Sequence, residues 1–279
     1  MDNRNVETLI LDKDLDEKYQ NEKNKINNYV KKRRILKKLI YFIILIVSFG
    51  TFLFSGYKIV VWLIENYQTN KATTAIKKIT NITNDDESLL NVDFENLSKE
   101  NSDVVAWIKV KNTKVDYPVV QADDNKYYLY RSFDKNSNSA GWIFSDYRNN
   151  FSDLNNNTII YGHGRLDGSM FGSLRDLFED SWLNNKDNYL IDISTPEYNS
   201  KWQVFSIYYI KSESYYIQTE FVDDNAYQEF IDTITKRSLY NFNTTLNTED
   251  KILTLSTCKN DYGDRIVIHA KLVQKEIKN

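Results

Sequence analysis

Cysteine and histidine are almost absent from this sequence. Among its 279 residues there is one cysteine, Cys258, and there are two histidines, His163 and His269. A single cysteine excludes an intramolecular disulfide, and one Cys with two His argues against a Cys/His zinc site. We therefore expect neither a metal nor another cofactor, and any thiol chemistry has to use Cys258.

Positive charge is also scarce over most of the chain. The first 38 residues contain 11 of the 36 Lys and Arg but only 7 of the 39 Asp and Glu, so the remaining residues carry a net charge of −7. An acidic body of this kind argues against a main domain that binds nucleic acid. Hydrophobic residues make up 41% and aromatic residues 14%, which is enough for a packed core and argues against general disorder.

Charge is completely missing from one segment near the amino terminus. From Leu39 to Tyr57 there is no charged residue, and apolar character resumes after Lys58 as far as Ile64. Roughly 20 apolar residues span a bilayer core, so we predict a transmembrane signal anchor at 39–64. The alternatives are a buried core helix, which should show a polar face, and a cleaved signal peptide, which would not follow so long a polar tail.

Basic residues lie mainly before this segment, and they predict its orientation. Six of them precede it closely, Lys31, Lys32, Arg33, Arg34, Lys37 and Lys38. Positive charge stays on the cytoplasmic side of a membrane. We therefore expect a cytoplasmic tail at 1–38 and a cell-membrane protein that crosses the bilayer once, with everything after the anchor outside the cell.

Hydrophobic patterns after the anchor predict a helical linker at 65–100, with short helices in "NDDESLLNVDFENLSKEN", and a domain rich in strands at 101–279. Strand candidates alternate apolar and polar residues; they are "DVVAWIKVKNTKVDYPVVQ" with a turn at 111–113, "SAGWIFSD", "NTIIYGHG", "NYLIDIST", "KWQVFSIYYI", "KILTLSTC" and "RIVIHAKLV". Two helices interrupt them, "SMFGSLRDLFED" and "DNAYQEFIDTITKRSLY", the second with helical spacing of Tyr227, Phe230, Ile231 and Ile234. Many short strands with few long helices predict a mainly β fold, an antiparallel barrel or sandwich.

The last two strands predict the surroundings of Cys258. If they form a hairpin across the loop Lys259–Asp264, Cys258 lies opposite Arg265 and Thr254 lies opposite His269. Alternation then puts the thiol on a comparatively polar face at the rim of the sheet. The other face holds core residues, Leu253, Leu255, Ile266, Ile268, Ala270 and Leu272. A buried structural cysteine is the alternative, but such a cysteine is expected more often on the apolar face.

A cysteine nucleophile needs a proton partner and a group that stabilises the oxyanion. Under this register His269 lies about 13 Å along the strand from Arg265 and does not reach the thiol. His163 instead follows an apolar strand and has a glycine on each side, in "YGHG". Flanking glycines leave a ring unshielded at a strand end, so we predict that His163 is the partner of Cys258. A histidine in a surface turn, without function, is the alternative.

These motifs resemble the sortases, membrane-anchored cysteine transpeptidases of Gram-positive bacterial surfaces. The likeness covers about 102–273, through "AWIKV", "VDYPVVQADDNKYYL", "AGWIFSDYRN", "YGHGRLDGSMFGSL" and "LTLSTC" followed by Arg265. The longer strings are similar to class B, and so are the helical segment before the first strand and the helix at about 224–240. The loop Lys259–Asp264 looks short for the family.

The resemblance implies a sortase-type eight-stranded β-barrel with added helices, preceded by one transmembrane helix. Cys258 would attack the carbonyl of a threonine in the carboxyl-terminal sorting signal of a surface protein and form a thioacyl enzyme. His163 would protonate the departing amine and later deprotonate the incoming one, and Arg265 would hydrogen-bond the substrate carbonyl or the oxyanion. The acceptor amine would come from a peptidoglycan precursor or from another surface protein.

Other interpretations of these residues stay open. A cysteine hydrolase would use the same residues but release the acyl group to water. A membrane-tethered β-barrel binding module would carry an incidental thiol and have no turnover. Within the sortases, the class B likeness favours attachment of proteins to the cell wall over polymerisation of pilins.

Overall fold

The structure, a computed structural model, describes residues 3–83, 88–211, 213–258 and 264–278. It describes the backbone of Cys258 but not the side chain. Residues 259–263, which make up all but the last residue of the predicted loop, lie outside the described residues. The chain divides into two compact units, residues 1–63 and 64–279.

The amino-terminal unit is helical. α1 (Asn3–Ile79) begins in this unit and continues into the second. By length and composition, one helix among the described residues could cross a membrane, Leu15–Ile79 of α1, and none of its most apolar stretch is buried within the structure. The predicted anchor at 39–64 is therefore helical throughout, as a membrane-spanning segment of this kind has to be.

A short hairpin and a helix follow α1. They are β1 (Ile82–Thr83), β2 (Asn91–Val92) and α2 (Glu95–Glu100). The sequence predicted only helices here, whereas β2 is extended. Val92 explains the difference, because its side chain is buried and its N–H donates to Ser194 Oγ at 3.1 Å, a contact 102 residues away along the chain.

Eight strands form the main domain. They are β3 (Val104–Val110), β4 (Asp116–Val120), β5 (Phe144–Ser145), β6 (Asn157–His163), β7 (Leu190–Ser194), β8 (Tyr198–Lys211), β9 (Ile252–Cys258) and β10 (Asp264–Ile277). Their hydrogen bonds close a barrel in the order β10–β8–β7–β3–β4–β5–β6–β9, and β9 pairs with β10 to complete it. The predicted barrel is confirmed, but β4–β5 and β6–β9 are parallel rather than antiparallel pairs.

Helical segments lie between the strands. The string predicted as one amphipathic helix forms a 3₁₀ helix at Gly172–Phe178 followed by α3 (Asp180–Leu183). The second predicted helix is α4 (Asp224–Lys236), which begins after Asp223, whose side chain accepts the N–H of Ala226 at 2.8 Å. Further 3₁₀ helices occur at Tyr127–Tyr130, Lys186–Asn188 and Tyr215–Ile217.

The carboxyl-terminal hairpin has the predicted register. Thr254 pairs with His269, and Ser256 pairs with Val267. The six residues predicted to be core all belong to the hydrophobic core of the barrel. Four of them are buried, Leu253, Leu255, Ile268 and Ala270, and the other two are partly buried and pack against this core, Ile266 and Leu272. Local alternation was therefore a sufficient guide to the inside of this hairpin.

The outer face of the same hairpin is covered by α4. The four residues predicted on the apolar side of α4 are all buried there, Tyr227, Phe230, Ile231 and Ile234. His269 is completely buried beneath them, with Nδ1 2.8 Å from Thr254 Oγ1 and Nε2 2.8 Å from the hydroxyl of Tyr208. Much of the face that the sequence predicts as polar thus lies inside the molecule, where its polar groups pair with one another.

Candidate active site

The parallel pairing of β6 and β9 brings two predicted site residues together. The register runs without a break from Asn157 paired with Ile252 to His163 paired with Cys258. Neighbouring strands lie about 4.8 Å apart, and paired residues of parallel strands point to the same side of the sheet. The backbones of His163 and Cys258 are therefore direct neighbours at one edge of the barrel, although the two residues lie far apart in the sequence.

The ring of His163 is half-buried and held by a backbone carbonyl. Its Nε2 lies 2.7 Å from the carbonyl oxygen of Leu129. A carbonyl only accepts, so Nε2 carries the hydrogen. Burial lowers the pKa of His163, the bond to Leu129 opposes this effect, and the positive charge of Arg165 lowers the pKa further. The net result is a pKa below the usual value for histidine, so the ring is neutral at neutral pH.

A glycine makes room for this ring. Gly141 has a positive φ of 58°, and a Cβ built on it would lie 2.8 Å from Cδ2 of His163 and 2.6 Å from the carbonyl oxygen of Leu129. A larger residue would therefore displace either the histidine or the carbonyl that orients it. The sequence pattern contained no sign of this role, because Gly141 is close to His163 only through the fold.

The guanidinium of Arg265 is held in place by a buried tyrosine, Tyr216. Its Nη1 donates to the hydroxyl of Tyr216 at 3.0 Å. The Tyr216 hydroxyl lies 3.2 Å from Ser256 Oγ, and since it accepts from a guanidinium, its own hydrogen is free for that serine. Next to it, Thr257 Oγ1 accepts the N–H of Ile266 at 2.8 Å and holds the start of β10 against the end of β9. The guanidinium thus has a defined direction.

His163 and Arg265 line one cavity of about 330 Å³. Its other walls are mainly apolar and aromatic, with a few polar groups, Asn125, Leu129, Tyr130, Phe144, Tyr161, Ile217 and Thr257. Mostly apolar walls with a small number of directed polar groups are typical of a pocket that binds an organic ligand such as a peptide. Within residues 3–83, 88–211, 213–258 and 264–278, no group of three or more His, Cys, Asp or Glu is arranged to hold a metal ion.

Comparison with known proteins identifies the family. Residues 108–273 match the model of the sortase domain. Sortase B of Listeria monocytogenes is 36% identical over 239 residues, which covers 82% of this chain and 95% of the relative, and Sortase B of Staphylococcus aureus is 35% identical over 223 residues, which covers 78% and 91%. The chain belongs to the sortase family. Both relatives are class B, as the sequence motifs predict.

Solved structures of class B sortases have the same barrel. The Bacillus anthracis sortase B in complex with AAEK1 superposes with a TM-score of 0.68 at 35% identity and covers 76% of this chain and 99% of that one. A Staphylococcus aureus sortase B–substrate complex gives a TM-score of 0.61 at 38% identity and covers 65% and 84%. This sortase is therefore a cell-wall sorting transpeptidase with the class B fold.

The structure shows the side chains of two of the three predicted site residues, His163 and Arg265, and the backbone of the third, Cys258. His163 and Arg265 border the same pocket, and the backbone of Cys258 adjoins His163 and the pocket residue Thr257. Sequence reasoning missed Tyr216, Leu129 and Gly141. Each of them acts through a contact with a distant part of the chain. Leu129 and Gly141 stand in the strings "VDYPVVQADDNKYYL" and "AGWIFSDYRN", but neither string shows that these residues contact His163. The aromatic pair in "SESYYIQ" was the one visible signal for Tyr216.

Replacing Arg165 by Gln should raise the pKa of His163, because a nearby positive charge disfavours the imidazolium ion. Proton titration followed by NMR of a chain labelled in histidine would measure this directly. Burial lowers the pKa of His269 to about 3, so the signal that titrates at higher pH belongs to His163. The acid limb of the activity profile should move to higher pH together with this pKa.

Arg175→Gln is the matched control for that substitution. Arg175 donates from Nη2 to the carbonyls of Arg165 and Leu166 in the same loop, but its charge is not among those that shift the pKa of His163. A histidine pKa that rises equally in both variants would show that loop distortion, rather than the charge of Arg165, is responsible.

Proposed function

We propose that Cys258, His163 and Arg265 are the catalytic residues of this sortase, acting as nucleophile, acid–base and oxyanion ligand. The observation that carries this proposal is the register of β6 and β9, which pairs His163 with Cys258. Arg265 supports it, because its guanidinium borders the same pocket as the ring of His163. The proposed enzyme is thus a cysteine peptidase in its first half-reaction and an acyl transferase in its second.

In the first half-reaction the sulfur of Cys258 attacks the carbonyl carbon of the threonine in the sorting signal. A C–S bond forms, and the carbonyl electrons move onto the oxygen. Arg265 stabilises this oxyanion by donating an N–H to it. When the carbonyl re-forms, the C–N bond breaks, and His163 gives a proton to the departing amine. The product is a thioester at Cys258.

An acceptor amine completes the transfer. Neutral His163 takes a proton from this amine as the nitrogen attacks the thioester carbon. A new amide bond forms, the C–S bond breaks, and the thiolate of Cys258 is regenerated. The acceptor is an amine of a peptidoglycan precursor or of another surface protein. A sortase B has been solved in complex with triglycine, a short peptide whose amino terminus is an amine of this kind.

The pKa of His163 determines how much of the enzyme is ready to react. The working pair is a thiolate with an imidazolium ion, and the two groups titrate together. Because burial lowers the pKa of His163, its neutral form predominates at neutral pH, and the working pair is the minor form. Nε2 donates to the carbonyl of Leu129, so Nδ1 is the atom that exchanges protons with sulfur and amine.

The same proposal includes the position of the enzyme in the cell. The chain crosses the membrane once through 39–64, with the tail 1–38 in the cytoplasm, and the linker 65–100 and the catalytic domain 101–279 lie outside. The basic residues before the anchor support this orientation. Surface proteins that carry a carboxyl-terminal sorting signal would meet the pocket on the outer side of the membrane.

The orientation is testable because the chain has one cysteine. A membrane-impermeant maleimide should label Cys258 on cells from which the wall has been removed. In a Cys258→Ala chain that also carries Asn27→Cys, labelling should require permeabilised cells, since position 27 belongs to the tail. Labelling of position 27 without permeabilisation would mean that the orientation is inverted.

A library of threonine-containing pentapeptides should leave a thioester on the wild-type chain, detectable as an added mass at Cys258. The Cys258→Ala variant should stay folded and give no adduct and no turnover. Adding triglycine should convert the adduct into a new amide product, whereas a hydrolase would release only the free acid. Turnover that survives in Cys258→Ala would refute the catalytic assignment.

Arg265→Lys should reduce kcat by about 10²- to 10³-fold, the usual effect of losing one oxyanion donor, because lysine keeps the charge but not the planar fork. Tyr216→Phe should reduce kcat by roughly 10-fold with little change in KM, since it removes one hydrogen bond to a charged group. Tyr215→Phe is the control: its hydroxyl bonds to Tyr208 instead of Arg265. Equal effects of the two tyrosine substitutions would contradict a specific role of Tyr216.

A further inference from the structure

Behind the pocket lies a buried carboxylate that the proposed reaction does not use. Asp146 directly follows β5 and is completely buried. Arg148 binds it with one edge of the guanidinium: Nε donates to Oδ1 and Nη2 donates to Oδ2, each at 2.8 Å. The backbone N–H of Arg148 also donates to Oδ1 at 3.0 Å. Burial raises the pKa of Asp146, but these hydrogen bonds outweigh burial and leave the pKa below its usual value, so the carboxyl group is ionised.

Asp146 also holds residues that line the pocket. The Nδ2 of Asn125 and the hydroxyl of Tyr161 both donate to Oδ2, each at 2.9 Å. Arg148 extends the network to a third wall, because its Nη2 donates to the carbonyl of Ile217 at 2.8 Å. Asn125, Tyr161 and Ile217 come from separate parts of the chain. One buried carboxylate therefore connects three walls of the same pocket.

This network fixes which way the amide of Asn125 points. Its Oδ1 accepts the N–H of Tyr147 at 3.0 Å, while its Nδ2 donates to Asp146. A carboxylate does not donate and a backbone N–H does not accept, so a flipped amide would lose both bonds. The second hydrogen on Nδ2 is then held in one direction, on a residue that borders the cavity.

We infer that Asp146 and Arg148 are positioning residues for the sorting signal: they hold the pocket walls together so that Asn125 presents a fixed N–H donor to a carbonyl oxygen of the bound peptide. This inference rests on the proposed function only in that the peptide occupies this pocket. Arg148 itself is not among the residues that line the cavity, so its effect on binding has to pass through the walls that it holds. The chemistry at Cys258 does not depend on the pair.

The test measures peptide affinity without turnover. The ligand is the pentapeptide selected by the thioester experiment, and the chain carries Cys258→Ala. Asp146→Asn should raise the dissociation constant of this peptide at least tenfold. The reason is that an amide NH₂ group would replace one carboxylate oxygen and would then face the N–H and O–H donors that this oxygen accepts from. Arg148→Lys is the milder variant, because lysine keeps the charge but does not bridge Asp146 and Ile217 at once. It should raise the dissociation constant at least threefold.

Two controls match these variants. Asp103→Asn disrupts a carboxylate that likewise accepts from a tyrosine and a cation, Tyr128 at 2.7 Å and Lys135 at 2.9 Å. Arg237→Lys changes an arginine of similar exposure that pairs with Glu213. Neither lines this cavity, and both variants should bind the peptide within twofold of the parent chain.

Kinetics of the chain that keeps Cys258 separates positioning from general damage. Arg148→Lys should raise KM, with kcat within threefold and with an unchanged rate of alkylation of Cys258 by iodoacetamide. An unchanged dissociation constant in Arg148→Lys, or a loss confined to kcat, would overturn the inference whether or not Asp146→Asn folds. Failure of the proposed function looks different, because then no peptide forms a thioester with the wild-type chain.

Discussion

The parallel pairing of β6 and β9 is the contact on which both the barrel and its site depend. It closes the sheet between strands that are almost a hundred residues apart, and it puts the carboxyl ends of both strands at the same edge. In an antiparallel pair of the same length, His163 would lie beside Ile252, about 20 Å from the far end of β9. The direction of one strand therefore decides whether a histidine and a cysteine meet.

Closure of the barrel also gives the two histidines different surroundings. His269 lies under α4, where Thr254 donates its hydrogen to Asn157 and so accepts from Nδ1, while the hydroxyl of Tyr208 is left to bond Nε2. With both nitrogens satisfied and no exposed surface, the ring stays neutral. Among the described residues the ring of His163 has one hydrogen-bond partner, the carbonyl of Leu129, and it borders a cavity. The two rings thus differ in their hydrogen-bond partners and in their access to the pocket, which fits the proposed proton exchange at His163.

Local features of the sequence were enough for the strands, the hairpin register and the buried side of α4. Thr254 and His269 pair as alternation predicts, because a hairpin with a short loop has few registers that keep Leu253 and Leu255 inside. The parallel pairs, the burial of His269 and the supports at Gly141 and Tyr216 could not be predicted in this way. Each depends on contacts between segments far apart in the chain, and no local period encodes them. The residue types in the site were recognisable, but the groups that orient them were not.

The proposed catalytic residues and the loops that line the pocket belong to different parts of this sortase. His163 and Cys258 are the last residues of β6 and β9, and Arg265 is the second residue of β10. Their backbones are therefore fixed by continuous ladders of hydrogen bonds. Asn125 and Ile217, in contrast, stand outside the strands. Loops vary more freely than the elements they connect, so walls built from them need an internal tie to keep one shape. The buried carboxylate of Asp146, paired with the guanidinium of Arg148, connects these walls. Its pairing is strongly favoured, because leaving a carboxylate unpaired in the interior costs much more free energy than losing a single exposed hydrogen bond. Such an arrangement allows the loops that line the pocket to change while the proposed catalytic residues stay in place.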